Sequence, residues 1–303
     1  MRVLSLVCVA VAVLASTACH DLELPRTKAA VPEPLRPVVG APLEAPAAPT
    51  SLLPAAPDPV EPRVGTKAKR TIREPTDWQG DDSVPGARRA EAADRNRRAV
   101  VQEMFREAGV AFPPGELFMR VFKEESELEA WASSEKGGEM KRIATYEICR
   151  MSGDVGPKRR EGDYQVPEGF YRIEYFWPDS AFYLAGKVSY PNALDRQLGG
   201  ATPGGDIMLH GGCASIGCIS MSDERMEELF VMGTSVAARG DKVEMHIFPT
   251  RDIRGLIERG EKPEHHAFWA NLAEGMEAFE SSKRVPRVTV GWKGKYDVVA
   301  KGG

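Results

Sequence analysis

The chain has 303 residues, with 44 acidic and 40 basic side chains and a formal net charge of −4. A charge this close to zero provides no strong field for a polyanion, so nucleic acid is not an expected partner. The length could hold two domains of average size, but the composition changes sharply along the chain.

The first 19 residues have the pattern of a secretory signal. Arg2 precedes an apolar run over residues 3–14, which is shorter than the ~20 residues that span a bilayer, and small residues follow it. Cys19 comes after "STA", which resembles the lipobox of bacterial lipoproteins, although Ser16 stands where that motif usually has leucine. We therefore predict a protein of the periplasm or cell envelope that contacts a membrane only through a lipid on Cys19. Simple cleavage without lipidation is the alternative.

Residues 20–85 are rich in proline and alanine and contain more than half of the chain's 23 prolines. The segment lacks the periodic apolar positions of a packed element, which predicts a disordered, extended tether. Behind a lipidated cysteine, such a tether lets a globular domain reach away from a membrane. A disordered leader without that role fits the composition equally well.

An amphipathic helix is predicted over residues 86–110, where apolar residues recur at helical intervals until Gly109. Its many arginines are expected to form a solvated face. From residue 112 to residue 303 the pattern changes to strand-like segments separated by Gly, Pro and Asp, with helical segments beginning near residues 223 and 265. The strand-like segments are LFMRVFKEE, LEAWAS, MKRIATYEI, GFYRIEYFW, FYLAGKVSY, DIMLH, DKVEMHIFP and RVTVGWKGKYDVVAK. The expected fold class is mainly β with flanking helices (α+β).

The stretch "LHGGCASIGCISM" concentrates one histidine and two cysteines, His210, Cys213 and Cys218, in a glycine-rich loop. Removal of the signal and lipidation of Cys19 leave these two cysteines and Cys149, and an odd number in an oxidising compartment leaves at least one thiol unpaired. Three interpretations compete: a zinc site with H-x2-C-x4-C spacing, a buried histidine beside a disulfide, and a nucleophilic cysteine with a histidine base. Because the chain offers no second pair of ligands, no metal and no cofactor are predicted.

The nucleophile interpretation assigns a role to each polar group of the loop. A short loop can bring Cys218 back to His210, which would take the thiol proton and lower the pKa of the cysteine enough to hold a thiolate in reserve. The amides of Gly217 and Cys218 could then point at a developing oxyanion, with Ser215 as a third donor.

At this point the residues resemble a known family. "IMLHGGCASIGCISM" is similar to the active-site loop of the YkuD-type L,D-transpeptidases, in which a histidine is followed by Ser-x-Gly-Cys, and the short His-to-Cys separation resembles the YafK-like branch. "FMRVFKEESELEAW", "YEICRMSGDVGPKRREGDYQVPEGFY" and "VSYPNALDR" extend the resemblance over about residues 112–297. The sequence departs from the wider family at Ile216, where a histidine is usual, and at Met221, where an asparagine is usual.

The resemblance implies a YkuD-like β-sandwich catalytic domain that acts on the stem peptides of peptidoglycan in the periplasm. By this resemblance Cys218 attacks the diaminopimelate carbonyl, His210 is the general acid and base, and the carbonyl of Gly211 orients the imidazole. The resemblance also implies a set of substrate-binding cations and a disulfide. The carboxylates of the stem peptide would be bound by Lys158, Arg159 and Arg196, unless Asp163 and Asp195 pair with these cations. A disulfide between Cys149 and Cys213 would leave Cys218 free.

The resemblance leaves the acyl acceptor open. An amine of diaminopimelate would give crosslinks between stem peptides, and a lysine of an outer-membrane lipoprotein would attach that lipoprotein to the wall. Water would instead make the protein an amidase that releases the lipoprotein. A non-catalytic wall-binding regulator is a further alternative, against which the presence of both His210 and Cys218 argues.

Overall fold

The computed structural model describes residues 86–292 and 294–300. The predicted signal, the lipidation site at Cys19 and the tether over residues 20–85 lie outside these residues. The helices are α1 (Gly86–Glu107), α2 (Ala193–Leu198), α3 (Asp223–Ala237), α4 (Ile253–Glu258) and α5 (His266–Ser282). The strands are β1 (Glu116–Phe122), β2 (Glu127–Ser133), β3 (Lys141–Glu147), β4 (Arg150–Met151), β5 (Gly169–Ser180), β6 (Tyr183–Val188), β7 (Met208–His210), β8 (Ile219–Ser220), β9 (Val243–Phe248), β10 (Arg287–Val290) and β11 (Tyr296–Val299).

Nine of these strands form one mixed sheet in the order β3-β2-β1-β9-β5-β6-β7-β8-β4, and β10 and β11 form a separate hairpin. The pairs β1–β9 and β7–β8 are parallel, and the remaining pairs of the large sheet are antiparallel. The mainly β class with flanking helices is confirmed. No helix within the described residues is both long and apolar enough to cross a membrane.

Helices cover both faces of the central strands. On β1, Leu117, Met119 and Val121 enter the main hydrophobic core, whereas Phe118 on the other face packs with Phe279 of α5. Successive side chains of this strand therefore point to two opposite faces, and both faces are buried. Neither face is solvated.

Helix α1 shares the main core with the sheet. The sequence predicted that the arginines of this helix form a solvated face, but two of them are buried. Ala93 and Phe105 belong to that core, and Arg89 and Arg97 are buried as well. The Nε atom of Arg97 lies 2.9 Å from Oε2 of Glu227 on α3, and both side chains are almost fully enclosed. A buried guanidinium needs such a partner, and the partner comes from a helix that sequence periodicity could not place beside α1.

Arg97→Ala is expected to lower the free energy of unfolding by roughly 3–5 kcal/mol, because it leaves the buried carboxylate of Glu227 without its charge partner. The neighbouring variant Arg98→Ala is the control, since the ion pair of Arg98 with Asp94 is exposed at both ends and should contribute less than about 1 kcal/mol. Urea unfolding of both variants measures the difference. Equal losses would contradict a structural role of the buried pair.

Candidate active site

His210 and Cys218 lie at neighbouring strand ends of the sheet. His210 is the last residue of β7, and Cys218 directly precedes β8, which pairs in parallel with β7 through Leu209 with Ile219 and His210 with Ser220. The connecting loop turns through Gly212 (φ 78°) and Gly217 (φ 124°), backbone conformations that favour glycine. The side chains of His210 and Cys218 line one cavity of about 550 Å³.

Hydrogen bonds to one carbonyl hold the imidazole in place. His210 is 2% exposed, and its Nδ1 lies 2.6 Å from the carbonyl oxygen of Gly211. A carbonyl only accepts, so this contact assigns the proton to Nδ1 and leaves the Nε2 lone pair to act as a base. Ser220 Oγ donates to the same carbonyl over 3.3 Å, and the ring of Phe182 lies 4.9 Å from the imidazole centroid. No sequence signal marked Ser220, because its proximity arises from the β7–β8 pairing.

Position 211 requires a glycine because its neighbours pack too closely for a side chain, and not because of its backbone angles. A Cβ atom at this position would lie 2.6 Å from Oδ1 of Asp223 and 3.1 Å from Cβ of Tyr183. That Asp223 oxygen also accepts a 2.7 Å hydrogen bond from the amide of Gly212. The first residue of α3 thus holds the start of the loop over residues 211–218, called the catalytic loop after its predicted role, against β6.

The three predicted oxyanion groups come together, but they bind one another. Ser215 Oγ accepts hydrogen bonds from the amides of Gly217 at 3.3 Å and Cys218 at 3.1 Å, and donates to the Cys218 carbonyl at 2.6 Å. The hydroxyl oxygen of Ser215 therefore occupies the position at which one acceptor receives hydrogen bonds from both amides. A substrate oxygen can receive both amide hydrogen bonds only after Ser215 Oγ moves aside.

Burial keeps both His210 and Cys218 uncharged. This contradicts the expectation from the sequence that the pKa of Cys218 is lowered. Desolvation raises the pKa of the Cys218 thiol, against smaller opposing effects of a hydrogen bond with the Met208 backbone and of the charge on Lys187. Desolvation also lowers the pKa of His210. Both charged forms lose water in the cavity, so the resting pair is a neutral thiol and a neutral imidazole rather than a stored thiolate.

Alkylation of Cys218 by iodoacetamide should be slow at pH 7 and should rise with pH through a midpoint above that of an ordinary cysteine, because burial keeps the thiol protonated. Peptide mass mapping of Cys218 across a pH series gives the rate. The same peptide in the urea-unfolded chain is the control and should show the ordinary midpoint. A native midpoint below that of the unfolded chain would instead indicate a stabilised thiolate.

The three predicted substrate-binding cations do not converge on this cavity. Lys158 lines it, but its Nζ already binds Oδ1 of Asp163 at 2.5 Å. Arg159 turns away, with Nη1 3.7 Å from Oδ1 of Asp195 and its guanidinium carbon 4.9 Å from the ring centroid of Phe268. The pairing with Asp163 and Asp195, the alternative left open by the sequence, is therefore the observed arrangement.

Arg196 also lies elsewhere. It lines a separate groove beside β5 and β9, and its Nη1 donates to the carbonyl of Pro191. The sequence suggested a shared role for the three cations because their segments resemble one family, but the chain path between those segments distributes them over different surfaces. Lys158 alone of the three lies at the cavity.

Large apolar side chains border the cavity, which the sequence did not predict. Tyr164, Phe182 and Ile216 are 62%, 50% and 78% exposed, and all three line it. Ile216 occupies the position at which the wider family has a histidine. The cavity entrance is therefore apolar on the side of the catalytic loop.

The cysteines divide into a bonded pair and a free thiol. Cys149 and Cys213 form a disulfide with a Cα–Cα distance of 5.3 Å, and Cys218 is the free cysteine among the described residues. Cys149 directly precedes β4, which pairs with β8 at Met151 and Ile219. The disulfide and this short ladder together attach the catalytic loop to the end of the sheet. The disulfide also takes Cys213 out of the ligand set on which the zinc interpretation depended.

Comparison with known proteins agrees with this geometry. The family model of the YkuD L,D-transpeptidase catalytic domain matches residues 135–245, which contain His210 and Cys218. YafK of Escherichia coli strain K12, whose name describes it provisionally as an L,D-transpeptidase, is 35% identical over 188 residues, 61% of this chain and 74% of that protein. The protein of the same name from E. coli O157:H7 gives the same values. The chain therefore belongs to the YkuD family of L,D-transpeptidases, an assignment that supports a peptidoglycan-modifying transferase.

Solved structures give weaker matches. The helical cell shape determining protein Pgp2 of Campylobacter jejuni matches with a TM-score of 0.37 and 20% identity, over 50% of this chain and 56% of that one. Bd1075 of Bdellovibrio bacteriovorus gives a TM-score of 0.32 and 21% identity, over 56% and 59% of the two chains. L,D-transpeptidase 1 of Mycobacterium tuberculosis gives 0.25 and 13%, over 44% and 62%. The chain thus spans little more than half the length of these solved proteins, and the family assignment rests on sequence.

Proposed function

We propose that the protein is a cysteine acyltransferase that forms a thioester between Cys218 and the diaminopimelate carbonyl of a peptidoglycan stem peptide. One observation carries the proposal: a free cysteine and an imidazole held by a backbone carbonyl line the same cavity in a member of this family. The neutral charge states of both groups suit proton transfer during attack rather than before it.

In the acylation step the Cys218 Sγ–H proton passes to Nε2 of His210 while Sγ bonds to the carbonyl carbon. The resulting oxyanion takes the amide hydrogen bonds of Gly217 and Cys218, which Ser215 Oγ vacates. Collapse breaks the C–N bond to the next stem residue, and the imidazolium gives its proton to the departing amine. The Gly211 carbonyl holds the imidazole in one orientation throughout and stabilises its protonated form.

An amine or water then attacks the thioester, with His210 again accepting the proton. The apolar entrance formed by Tyr164, Phe182 and Ile216 disfavours ordered water beside the thioester, so we propose an amine as the main acceptor. Hydrolysis, including release of a wall-linked lipoprotein, is the competing outcome. Lys158 is the cation placed to meet a donor carboxylate, provided that it exchanges its contact with Asp163.

The proposed setting is the periplasmic side of the cell envelope, reached through the signal over residues 1–19 and a lipid on Cys19. Membrane fractionation of the Cys19→Ala variant, with and without globomycin, tests the anchor. An unchanged apparent mass and an unchanged membrane fraction would contradict it.

The catalytic proposal is tested by incubating the purified protein with muropeptides and with lipoprotein-linked sacculi, and by following products and intact protein by mass spectrometry. The expected result is a covalent adduct on Cys218 and new crosslinked peptides, both absent in Cys218→Ala. Released lipoprotein without crosslinks would identify a hydrolase. Identical profiles for the two proteins would contradict an enzyme, and loss of activity on chelation would point to a metal.

A further inference from the structure

The loop over residues 152–168, which joins β4 to β5 and is called the wall loop here, forms one wall of the Cys218 cavity. Four of its residues line that cavity: Lys158, Glu161, Gly162 and Tyr164. The wall loop also packs against the catalytic loop, because a Cβ atom at Gly217 would lie 3.7 Å from the carbonyl oxygen of Gln165. Gly217 supplies one of the two amides assigned to the oxyanion. The position of the wall loop therefore affects both the cavity and the oxyanion amides.

One ammonium group holds both ends of the cavity-lining stretch. Lys123 directly follows β1, and its Nζ donates to the carbonyl of Gly156 at 2.8 Å and to that of Val166 at 2.9 Å. The same Nζ lies 3.1 Å from Oε1 of Glu168. An ammonium has three N–H donors, and these three acceptors use all of them. A single side chain thus fixes the two backbone positions between which the wall loop reaches the cavity.

The carboxylate of Glu168 completes this attachment. Its Oε1 accepts a hydrogen bond from the amide of Gly156 at 2.5 Å, and its Oε2 accepts one from Nε1 of Trp269 on α5 at 2.8 Å. The side chains of Lys123 and Glu168 are only 4% and 0% exposed, so solvent hardly screens these contacts. The pair therefore ties the wall loop to β1 and to α5.

Hydrogen bonds within the wall loop connect the attached ends to its tip. Nε2 of Gln165 donates over 2.9 Å to the Gly156 carbonyl that Lys123 also binds. The carboxylate of Asp163 accepts from the amide of Gln165 at 3.1 Å and from Nζ of Lys158 at 2.5 Å. A shift of the attached ends would therefore move Lys158 relative to the cavity.

Stability alone gives little reason for a buried ion pair at this place. Two apolar side chains of similar volume are often as stabilising as such a pair, because they avoid the removal of water from two charges. Apolar side chains could not bind the carbonyls of Gly156 and Val166, however. What the pair adds is a defined position of the wall loop.

We propose that Lys123 and Glu168 are positioning residues for acyl transfer at Cys218. They hold the wall loop against Gly217, which keeps the oxyanion amide in place, and they keep Lys158 at the cavity. Both act through the loop and not by contact with the substrate. The reaction that they serve rests on the proposed function, whereas the placement of the loop rests on the contacts of the pair.

The test compares two double variants of the full chain. Lys123→Met with Glu168→Gln, the loop variant, neutralises the pair at the wall loop. The control is Arg120→Met with Glu129→Gln, which neutralises another buried pair that starts on β1 and whose described ion-pair partners all lie outside the cavity. Urea unfolding establishes that each variant is folded in buffer before its kinetics are measured.

Thioester formation with a saturating disaccharide tetrapeptide should be at least ~10-fold slower in the loop variant, because a displaced oxyanion donor loses part of the 10²–10³-fold effect typical of such a group. The control should keep the parent rate, since a general loss of stability does not change the chemistry of the folded molecules. Intact-protein mass spectrometry at short reaction times gives the rates.

A second measurement needs no substrate. The ¹⁵N–¹H signal of the Gly217 amide should shift in the loop variant and stay at its parent position in the control, because the wall loop packs against Gly217. Gln165→Ala removes a bond to the Gly156 carbonyl from a half-buried side chain, with little effect on folding. It should shift the same signal and slow the same step.

A parent rate or an unshifted Gly217 signal in the loop variant would overturn the inference, and so would equal slowing in both double variants. If the loop variant does not fold, Gln165→Ala decides by the same two measurements. If the parent protein forms no adduct on Cys218, the proposed function fails. The Gly217 signal alone then decides whether the pair positions the loop.

Discussion

His210→Gln is expected to slow the formation of the Cys218 thioester by roughly 10²–10⁴-fold, the contribution typical of a positioned general base. Glutamine is close to histidine in size but cannot accept the thiol proton. Because burial keeps the thiol neutral at rest, no pre-formed thiolate can compensate for the missing base. Intact-protein mass spectrometry at short reaction times measures the rate, and His266→Gln, outside the cavity, should react like the parent protein.

The pH dependence of the same step gives an independent check. Burial lowers the pKa of His210, and the base acts in its neutral form. The rate should therefore be maintained as the pH falls through 6.5, the ordinary histidine pKa, and should decline only below it. This acid limb should disappear in His210→Gln. An acid limb centred above pH 6.5, or one that persists in the variant, would contradict the assignment of His210 as the base.

Replacing both bridged cysteines, Cys149→Ser with Cys213→Ser, is expected to lower the free energy of unfolding by about 4 kcal/mol. The disulfide joins positions 64 residues apart, and closing a loop of that length removes much conformational entropy from the unfolded chain. Urea unfolding under non-reducing conditions measures the change. The double variant leaves no unpaired partner that could react with Cys218.

Parent protein reduced with dithiothreitol is the matched control, because it retains both cysteine side chains and loses only the bond. It should unfold at nearly the same urea concentration as the double variant. Since Cys213 lies within the catalytic loop and β4 pairs with β8 over two residues only, both forms should also acylate more slowly than the oxidised parent. Unchanged stability and unchanged acylation would show that the loop is held by its other contacts alone.

Much of the fold follows from periodic patterns in the sequence. Helices α1, α3 and α5 and the longer strands all occur within the segments in which apolar residues repeat at the expected spacing. Strands β4 and β8 have two residues each and helices α2 and α4 have six, which is too short for a period to be recognised. The order of the strands in the sheet depends on pairings between distant segments and could not be derived from local patterns.

The composition of the catalytic loop could be predicted from the sequence because its polar groups are close together along the chain. His210, Gly211, Ser215, Gly217 and Cys218 span nine positions. One loop therefore brings four of them to the same cavity, and the carbonyl of Gly211 contacts the imidazole of His210. Local sequence also carried the family resemblance, and the family assignment is confirmed by comparison with known proteins.

Distant contacts determined the remaining features. Arg159 and Arg196 lie away from the cavity because their loop and helix pack against other surfaces, with Asp195 and Pro191 as their neighbours. The charge state of Cys218 likewise depends on how much water the fold removes from the thiol, a quantity that residue spacing does not contain. The sequence predicted Cys218 as the nucleophile and His210 as its base, and the packing of the whole domain decided their protonation and the surfaces around them.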